Sequence, residues 1–214
     1  MSPALSVKAE KTLRGFAIGV VKNLVLLSLA SASPRRLELL RLAGVEPEVT
    51  PADIDETRRP DEDPVVYATR LAREKAASIA RPGDAVLGAD TIVTLDGDVL
   101  GKPVDSDDAR TMLRRLAGRE HQVVTAYHLI APAGTRSRAI TTVVVFRALT
   151  PVEIDGYVAH DEWRGKAGGY AIQGLAGAFA RELRGSYSNV VGLPLCEVIE
   201  DLRALGRLSP EWPR

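Results

Sequence analysis

The sequence predicts an α/β protein built on one mixed β-sheet with helices packed against it. Helical and strand-forming segments alternate along the 214 residues, which is typical of strands joined by helical crossovers. Two turns, Asp96-Gly97 and residues 132–134, separate apolar segments so closely that they favour antiparallel hairpins. Because crossovers give parallel pairs and hairpins give antiparallel pairs, we expect the sheet to contain both.

The first strand and the first helix are predicted over residues 24–44. An apolar run at residues 24–30 predicts the strand. Ser33 suits the N-cap of the helix, Pro34 its first position and Gly44 the position just beyond its end. The predicted buried face consists of Leu37, Leu39, Leu40 and Leu42.

Residues 45–64 are polar and rich in proline and acidic residues, which is typical of a loop. A helix is then predicted from Asp63-Pro64 to Ala80. Residues 85–93 form a largely apolar run, which predicts a strand buried on both faces. The predicted buried positions of the helix are Val65, Val66, Ala68, Leu71, Ala72, Ala76 and Ile79.

The same signals of caps, apolar periodicity and glycine stops define the rest of the chain. Thr150 and Glu153 have the spacing of a capping box, which marks the start of the fourth helix. The predicted elements are a strand at Val99-Leu100, a helix from Ser106 to Gly118, strands over 122–130 and 140–148, a helix from 151 to about His160, a glycine-rich loop over 165–177, a strand near 179–183 and a helix between Pro194 and Gly206.

These elements predict one domain over residues 23–206, with a flexible extension at residues 1–22 and a tail at residues 207–214. The short apolar patch of the extension is interrupted by Lys22, which is not typical of a cleaved signal peptide. No apolar run is long enough to span a membrane.

The charge balance and the cysteine content narrow the class of protein. Lysine plus arginine and aspartate plus glutamate number 28 each, which argues against broad binding to nucleic acid or to an acidic membrane surface. The single Cys196 excludes an intrachain disulfide and a cysteine-based zinc site, and it suits a reducing cytoplasm.

The turn between the first strand and the first helix carries the strongest chemical signal. The hydroxyls of Ser31 and Ser33 and the guanidiniums of Arg35 and Arg36 meet the positive end of a helix dipole there. Phosphate binds well at such a place. The alternative is an ordinary helix start whose arginines lie in solvent, and this segment alone does not decide between the two.

Asp90 is the second signal, because it lies inside an apolar strand that continues through Thr91, Ile92 and Val93. An ionised carboxylate in such a strand is costly unless it faces a cleft, a cation or a metal ion. We therefore interpret Asp90 as a functional residue rather than as the cap of a turn at the end of the strand.

Three more charged residues are candidates for the same site. Glu56 lies in a carboxylate cluster that is either a solvated patch or a source of oxygen ligands for Mg²⁺. Lys75 lies on a predicted helix, where an exposed face is the simplest explanation. Lys102 does not belong to a P-loop, because the spacing from Gly97 is one residue short and Pro103 replaces the metal-binding Ser or Thr. A single lysine that reaches a phosphate remains consistent with the sequence.

Residues 166–174 place several glycines around Tyr170 and Gln173. Glycine lets a backbone approach a ligand closely, and glutamine can bind a base edge as both donor and acceptor, whereas the alternative is a flexible connection. Cys196 is expected to be a small buried residue rather than a nucleophile. The histidines lack metal-ligand spacing and are expected to be structural: His121, His128 and His160.

Five motifs, taken together and in this order, closely resemble the Maf family of nucleoside triphosphate pyrophosphatases. They are SASPRR at 31–36, LAREKA at 71–76, GADTIV at 88–93, GKP at 101–103 and AIQG at 171–174. Each motif is weak alone, but the ordered set is specific. The resemblance covers the chain from about Asn23 to Leu205.

The resemblance implies an elongated, inosine-triphosphatase-like α/β fold with a deep active-site cleft. It also implies hydrolysis of dTTP and UTP, and of modified pyrimidine nucleotides, to the monophosphate and pyrophosphate with Mg²⁺ or Mn²⁺, and it suggests a homodimer. Asp90 matches the proposed proton acceptor. Ser31, Arg36, Glu56, Lys75 and Lys102 match positions at the phosphate and metal site, and Arg35, Thr91 and Gln173 match the specificity triplet of the dTTP/UTP subgroup.

The implied chemistry agrees with the residues themselves. Water would attack the α-phosphorus, and the basic residues with a metal ion at Glu56 or Asp90 would stabilise the charge on the leaving phosphates. Asp90 would either deprotonate that water or bind the metal ion, and the sequence does not separate these roles. A second hypothesis is a nucleotide-binding regulator of cell division without turnover. A nucleic-acid-binding protein is disfavoured by the zero net charge and the lack of an aromatic platform.

Overall fold

The computed structural model describes residues 27–209 and 211–212. The predicted extension, residues 1–22, and the first three residues of the predicted first strand lie outside the described residues. The strands are β1 (Leu27–Ala30), β2 (Glu48–Val49), β3 (Ala85–Leu95), β4 (Asp98–Leu100), β5 (Glu120–Ala131), β6 (Gly134–Phe146) and β7 (Ala180–Arg184). The α-helices are α1 (Pro34–Leu42), α2 (Pro64–Ile79), α3 (Ser106–Leu116), α4 (Pro151–Ala159), α5 (Tyr187–Val191) and α6 (Leu195–Ala204).

The strands form one sheet in the order β2-β1-β3-β5-β6-β7, and β4 pairs with β3. The pairs that β1 makes with β2 and β3 are parallel, whereas all the pairs among β3 to β7 are antiparallel. The prediction of a mixed sheet flanked by helices is therefore confirmed. No helix in the described part of the chain is long and apolar enough to cross a bilayer.

One edge of β3 has an interruption in its pairing. β5 pairs along the other edge from Val86 to Thr94 without a break. On the first edge, β1 pairs only as far as Gly88, and β4 pairs only from Val93 onward. In the described structure, residues 89–92 therefore have no strand neighbour on this side, which leaves an opening beside the middle of the sheet.

Helix α2 lies unusually close to β3 on one face of the sheet. A Cβ atom added at Gly88 would lie 2.2 Å from the carbonyl oxygen of Ala72 and 2.6 Å from the amide nitrogen of Ala76. Only glycine therefore allows this approach. On this face Ala68 and Ala72 pack with Ile92 and Val124.

The main core lies on the opposite face of the sheet. There the sheet packs against α1, α3, α4 and α6, which are held by apolar contacts around an aromatic cluster of His121, Phe146, Tyr157, Tyr170 and Phe179. Strand β3 contributes side chains to both faces and is almost wholly buried, as predicted.

Several local predictions are confirmed. Asp63 caps α2 by accepting hydrogen bonds from two amides, and Thr150 with Glu153 forms the capping box of α4. Gly44 has a positive φ of 73° just beyond α1, where the stop was predicted. Ser33 occupies the N-cap of α1, but its side chain makes no capping hydrogen bond.

Other local predictions are wrong. Residues 45–64 contain the short strand β2, and α5 was not predicted. Leu42 is 82% exposed because it lies about 200° around the helix from the buried Leu40. Val65 and Val66 are also exposed, since the first turn of α2 precedes its contact with the sheet.

Candidate active site

A cavity of about 500 Å³ lies at the opening beside β3. The residues predicted from the sequence all line it: Ser31, Ser33, Arg35, Arg36, Glu56, Lys75, Asp90, Thr91, Lys102 and Gln173. They come from α1, α2, β3 and four loops, the first of which joins β1 to α1. The fold therefore brings together side chains that are up to 142 positions apart in the sequence, from Ser31 to Gln173.

Two carboxylates in the cavity converge on the ammonium group of Lys75. Lys75 Nζ lies 2.7 Å from Asp90 Oδ1 and 2.9 Å from Glu56 Oε1. Lys75 and Asp90 are buried, whereas the Glu56 side chain is 44% exposed. Lys75 is thus part of the site and not an exposed helix position, and its charge offsets the cost of burying Asp90.

The position of Lys75 follows from the packing of α2. The buried positions of this helix include Ala68, Ala72 and Ala76, and Lys75 falls on the same face. Because Gly88 lets α2 approach β3 closely, the lysine side chain reaches a carboxylate two residues further along that strand.

The loop that carries Glu56 is held by two side chains of α2. The Tyr67 hydroxyl donates to the Glu56 carbonyl at 2.8 Å, and Arg70 Nη2 donates to the Thr57 carbonyl at 3.1 Å. Arg70 is itself fixed by Glu62, with Nε–Oε1 and Nη2–Oε2 distances of 2.7 and 2.8 Å. Such bidentate pairs have a defined geometry, so the loop is ordered around Glu56.

The carboxyl group of Glu56 is held in its charged form. Partial burial favours a higher pKa, but the hydrogen bond and charge of Lys75, together with the charges of Lys102 and Arg36, oppose it. The net effect places the pKa of Glu56 below its ordinary range. Glu56 is therefore ready to bind a cation at neutral pH.

Arg36 joins three elements at the floor of the cavity. Its Nε donates to the Gly192 carbonyl at 2.9 Å, Nη1 to Ser31 Oγ at 2.8 Å and Nη2 to Thr91 Oγ1 at 3.0 Å. Burial lowers its pKa from the ordinary value, and the negative charge of Asp90 opposes that shift. A guanidinium has five N–H donors, so two remain to bind an anion.

The N-terminus of α1 forms another wall of the cavity. Ser31 Oγ accepts hydrogen bonds from Arg36 Nη1 and from the Ser33 amide at 3.2 Å. Because this oxygen already accepts two hydrogen bonds, its own proton is directed elsewhere. Since the Ser33 side chain does not cap the helix, the first amides of α1 are not blocked by it. This wall suits an anion.

Backbone carbonyls at the C-terminal end of α5 hold Arg35 and Arg36 in position. The Val191 carbonyl accepts from Arg35 Nε at 3.2 Å, one residue before the carbonyl that binds Arg36. Asn189 is fully buried and fixes α5 to the sheet. Its side-chain amide donates to the Val123 carbonyl, and its backbone carbonyl accepts from Thr125 Oγ1 at 2.8 Å. This network was not predicted from the sequence, since its members are far apart in the chain.

The cavity also has an apolar part on the main-core side of β3. It is lined by Val93, Val123, Tyr170 and Ile172. The Tyr170 hydroxyl is hydrogen-bonded at 2.8 Å to Nε2 of the buried His121, whose pKa burial lowers to about 4. His121 is thus structural, as expected. A polar half and an apolar half in one cavity suit an amphipathic ligand.

The charged side chains in the cavity are mostly basic. There are six basic residues, Arg35, Arg36, Lys75, Lys102, Arg164 and Lys166, and two acidic ones, Glu56 and Asp90. Arg164 and Lys166 were not predicted from the sequence as site residues. Because the chain as a whole is neutral, this local excess points to a strongly negative ligand.

In the described residues no group of three or more His, Cys, Asp or Glu side chains is placed to hold a metal ion. The carboxylates of Glu56 and Asp90, which converge on the Lys75 ammonium group, fit a different kind of site. Mg²⁺ is usually held by one or two carboxylates plus phosphate oxygens, so these two side chains suit Mg²⁺ or Mn²⁺ that also binds a substrate phosphate.

Cys196 lies outside this cavity and is exposed, so the prediction of a buried residue is wrong. It follows Leu195 at the start of α6, and the buried residues of this helix, among them Val198 and Ile199, lie further along it. The core contacts of α6 are made by those residues instead.

Comparisons with known proteins identify relatives over most of the chain. The family model described as Maf-like protein matches residues 26–205. A protein of Syntrophus aciditrophicus named dTTP/UTP pyrophosphatase is 51% identical over 86% of this chain and 91% of its own. Proteins with the same name from Caulobacter vibrioides and Anaeromyxobacter dehalogenans are 53% and 52% identical, over 84% and 88% of this chain and 95% and 97% of their own.

One solved structure, that of the Staphylococcus aureus Ham1 protein, aligns with 56% of this chain and 71% of its own. The sequence identity is 15% and the TM-score is 0.39.

Proposed function

The chain belongs to the Maf-like protein family, and we propose that it is a nucleoside triphosphate pyrophosphatase that converts dTTP and UTP to the monophosphate and pyrophosphate. The observation that carries this proposal is the Asp90–Lys75–Glu56 cluster, with Asp90 and Lys75 buried, inside a cavity with an excess of basic residues. The names of relatives about half identical to this chain support the substrates. Modified pyrimidine nucleotides are further candidate substrates.

We assign the triphosphate to the polar half of the cavity. Ser31 and Ser33 lie there at the N-terminus of α1, where amides and hydroxyls donate to phosphate oxygens. Arg36, Lys75 and Lys102 supply positive charge where negative charge develops on the leaving pyrophosphate. Because Arg36 is already fixed by three hydrogen bonds, it needs little reorganisation to bind phosphate.

Asp90 is the proposed general base. It lies beside the triphosphate site, and the hydrogen bond from Lys75 orients its carboxylate. In this role Asp90 takes a proton from the water that attacks the α-phosphorus, which typically contributes about 10²–10⁴-fold to the rate. The bond between the α-phosphorus and the bridging oxygen breaks, and pyrophosphate leaves with the charge that the basic residues stabilise.

Nucleoside triphosphate pyrophosphatases generally use a divalent metal ion, and we propose that Glu56 and Asp90 hold Mg²⁺ or Mn²⁺ here together with the substrate. When bound, the ion would supply charge neutralisation on the phosphates and lower the pKa of a water molecule. The charged state of Glu56 supports this assignment, since only a carboxylate is a good ligand for such an ion.

We assign the nucleobase to the apolar half of the cavity. Arg35, Thr91 and Gln173, the proposed specificity residues, all line the cavity, and Thr91 is held by hydrogen bonds to Arg36 and Thr125. Side chains with fixed donors beside an apolar surface suit a base that has polar edges and apolar faces.

A substrate panel tests this function. Each common and methylated nucleoside triphosphate is incubated with the protein and Mg²⁺ or Mn²⁺, and pyrophosphate is measured. We expect metal-dependent release from dTTP and UTP, and a loss of about 10²–10⁴-fold in Asp90→Asn without a large change in the midpoint of thermal unfolding. Glu182→Gln, an acid-to-amide change on the exposed strand β7, is the matched control.

The alternative, a nucleotide-binding regulator of cell division, makes a different prediction. Nucleotide would then bind without release of pyrophosphate from any member of the panel. Full activity of Asp90→Asn would remove Asp90 from the mechanism.

We also propose a cytoplasmic location and a homodimer. The single exposed thiol suits a reducing compartment. Sedimentation of the full chain tests the dimer, and a monomer at all concentrations would contradict it.

A further inference from the structure

Lys166 lies in the wall of the cavity that also carries Gln173. The backbone around it is fixed on both sides. The Lys166 amide donates to the Trp163 carbonyl at 3.2 Å, and the Gly169 amide donates to the Lys166 carbonyl at 3.0 Å. Lys166 is therefore presented from a defined backbone position rather than from a flexible connection.

Two glycines explain why this wall lies where it does. Gly168 has a positive φ of 70°, donates to the Gly101 carbonyl at 3.0 Å and lies so close to Val93 that an added Cβ would be 3.0 Å from that side chain. Gly169 also has a positive φ, of 71°, beside Pro103. Residues with a side chain would move the wall, and Lys166 with it, away from β3.

The charges around Lys166 are unusual for a lysine in a cavity. No carboxylate lies within ion-pair distance of it in the described residues, and its Nζ donates to the Arg164 carbonyl at 3.2 Å. Burial lowers its pKa, and the nearby positive charge of Arg35 lowers it further, against the opposing effect of Glu162. Two cations thus face the same space.

We propose that Lys166 is a specificity-determining residue that, together with Arg35, selects pyrimidines with a 4-keto group over pyrimidines with a 4-amino group. This inference rests on the proposed function of the same site. Lysine and arginine are hydrogen-bond donors only. O4 of uracil or thymine is an acceptor, whereas the 4-amino group of cytosine is a donor. A pair of cationic donors therefore binds the first and repels the second.

The position of Lys166 favours the base over the triphosphate. The carboxylates and the lysine assigned to the phosphate half, Glu56, Asp90 and Lys75, bind one another. Of the basic residues in the cavity, the one whose charge acts on Lys166 is Arg35, a proposed specificity residue. Lys166 also shares its wall with Gln173 and the apolar residue Ile172, which line the half assigned to the base.

The experiment compares UTP with CTP in Lys166→Met. We expect kcat/KM for UTP to fall about 10- to 100-fold, which corresponds to the loss of one hydrogen bond to a charged group. We expect kcat/KM for CTP to change by much less, so that the ratio of UTP to CTP falls. Lys166→Arg keeps a cationic donor and should keep most of the ratio.

Arg114→Met is the matched control, since Arg114 is exposed on α3 outside the cavity and its loss removes the same charge. Both activities should stay at the wild-type values. The midpoint of thermal unfolding of each variant reports whether the protein remains folded.

An equal loss for UTP and CTP in Lys166→Met would overturn the inference, because it would place the lysine on the triphosphate or give it a structural role. Wild-type values of kcat/KM for both UTP and CTP in Lys166→Met would also overturn it. Calorimetric binding of α,β-methylene analogues of UTP and CTP gives the same ratio without turnover. A wild-type protein without pyrophosphate release would contradict the proposed function, and the binding ratio would still test Lys166.

Discussion

Replacement of Gly88 by alanine tests the close packing on which the catalytic cluster depends. The new Cβ would lie 2.2 Å from the Ala72 carbonyl oxygen, whereas real Cβ contacts are essentially never shorter than 3.0 Å, so α2 must move by about 1 Å. The contact is with backbone rather than with a flexible side chain. We therefore expect the free energy of unfolding to fall by about 3 kcal/mol, which is the upper end of the range for overpacked cores.

This loss has two measurable consequences. For a chain of this size it lowers the midpoint of thermal unfolding by about 6–12 °C. The same displacement separates Lys75 from Asp90, which are now 2.7 Å apart, and a misplacement of about 1 Å costs about 10²-fold in rate. Pyrophosphate release from UTP and thermal melting of the same preparation measure both effects.

Gly156→Ala is the matched control for this substitution. Gly156 is exposed in α4, and an added Cβ would meet nothing within 4 Å. The change should stabilise the protein by about 0.5–1 kcal/mol, since alanine is the better helix former, and should leave activity unchanged. If Gly88→Ala melts and turns over like the wild type, the packing account is wrong.

Two further predictions concern groups outside the reacting centre. Burial lowers the pKa of His121 to about 4, so the folded state disfavours its protonation and stability falls as the pH drops from about 6.5 toward 4. Urea unfolding should show that the wild type loses about 2 kcal/mol more than His121→Phe between pH 7 and pH 5, and equal losses would exclude this role. Arg70→Met should release the loop that carries Glu56 and lower activity about 10- to 100-fold. Arg41→Met, which breaks an exposed pair with Glu46, should change activity little, and equal activity of the two variants would contradict the role of Arg70.

The sequence was sufficient to predict the order of most elements because their signals are local. Caps such as Asp63 and Thr150 and stops such as Gly44 act within one turn of a helix. The failures have a different origin. Strand β2 has only two residues, and it exists because β1 offers a parallel edge that no local pattern reveals. Leu42 is apolar but lies on the outer side of α1.

The candidate site shows the same division. The motifs predicted which residues meet in the cavity, and the structure brings all of them together. They did not predict how the residues are held. The hydrogen bonds from Tyr67 to Glu56 and from Thr125 to Asn189 join positions 11 and 64 residues apart, and they depend on how helices and loops pack on the sheet.

The ion pairs that Lys75 makes with Glu56 and Asp90 could not be predicted from the sequence pattern either. A lysine among alanines on a helix is usually exposed, and only the approach of α2 at Gly88 places this one beside Asp90. The short distance between helix and strand is a property of the packed molecule. The motif at residues 71–76 placed Lys75 at the site, and Gly88 was the sequence signal of the close approach.

In the proposed reaction, water attacks the α-phosphorus beside Asp90, so that pyrophosphate is the leaving group. The most direct test is hydrolysis of UTP in H₂¹⁸O with Mg²⁺, followed by mass spectrometry of the products. Attack at the α-phosphorus places one ¹⁸O atom in UMP and none in pyrophosphate. Label in pyrophosphate, or UDP and inorganic phosphate as the products, would contradict it.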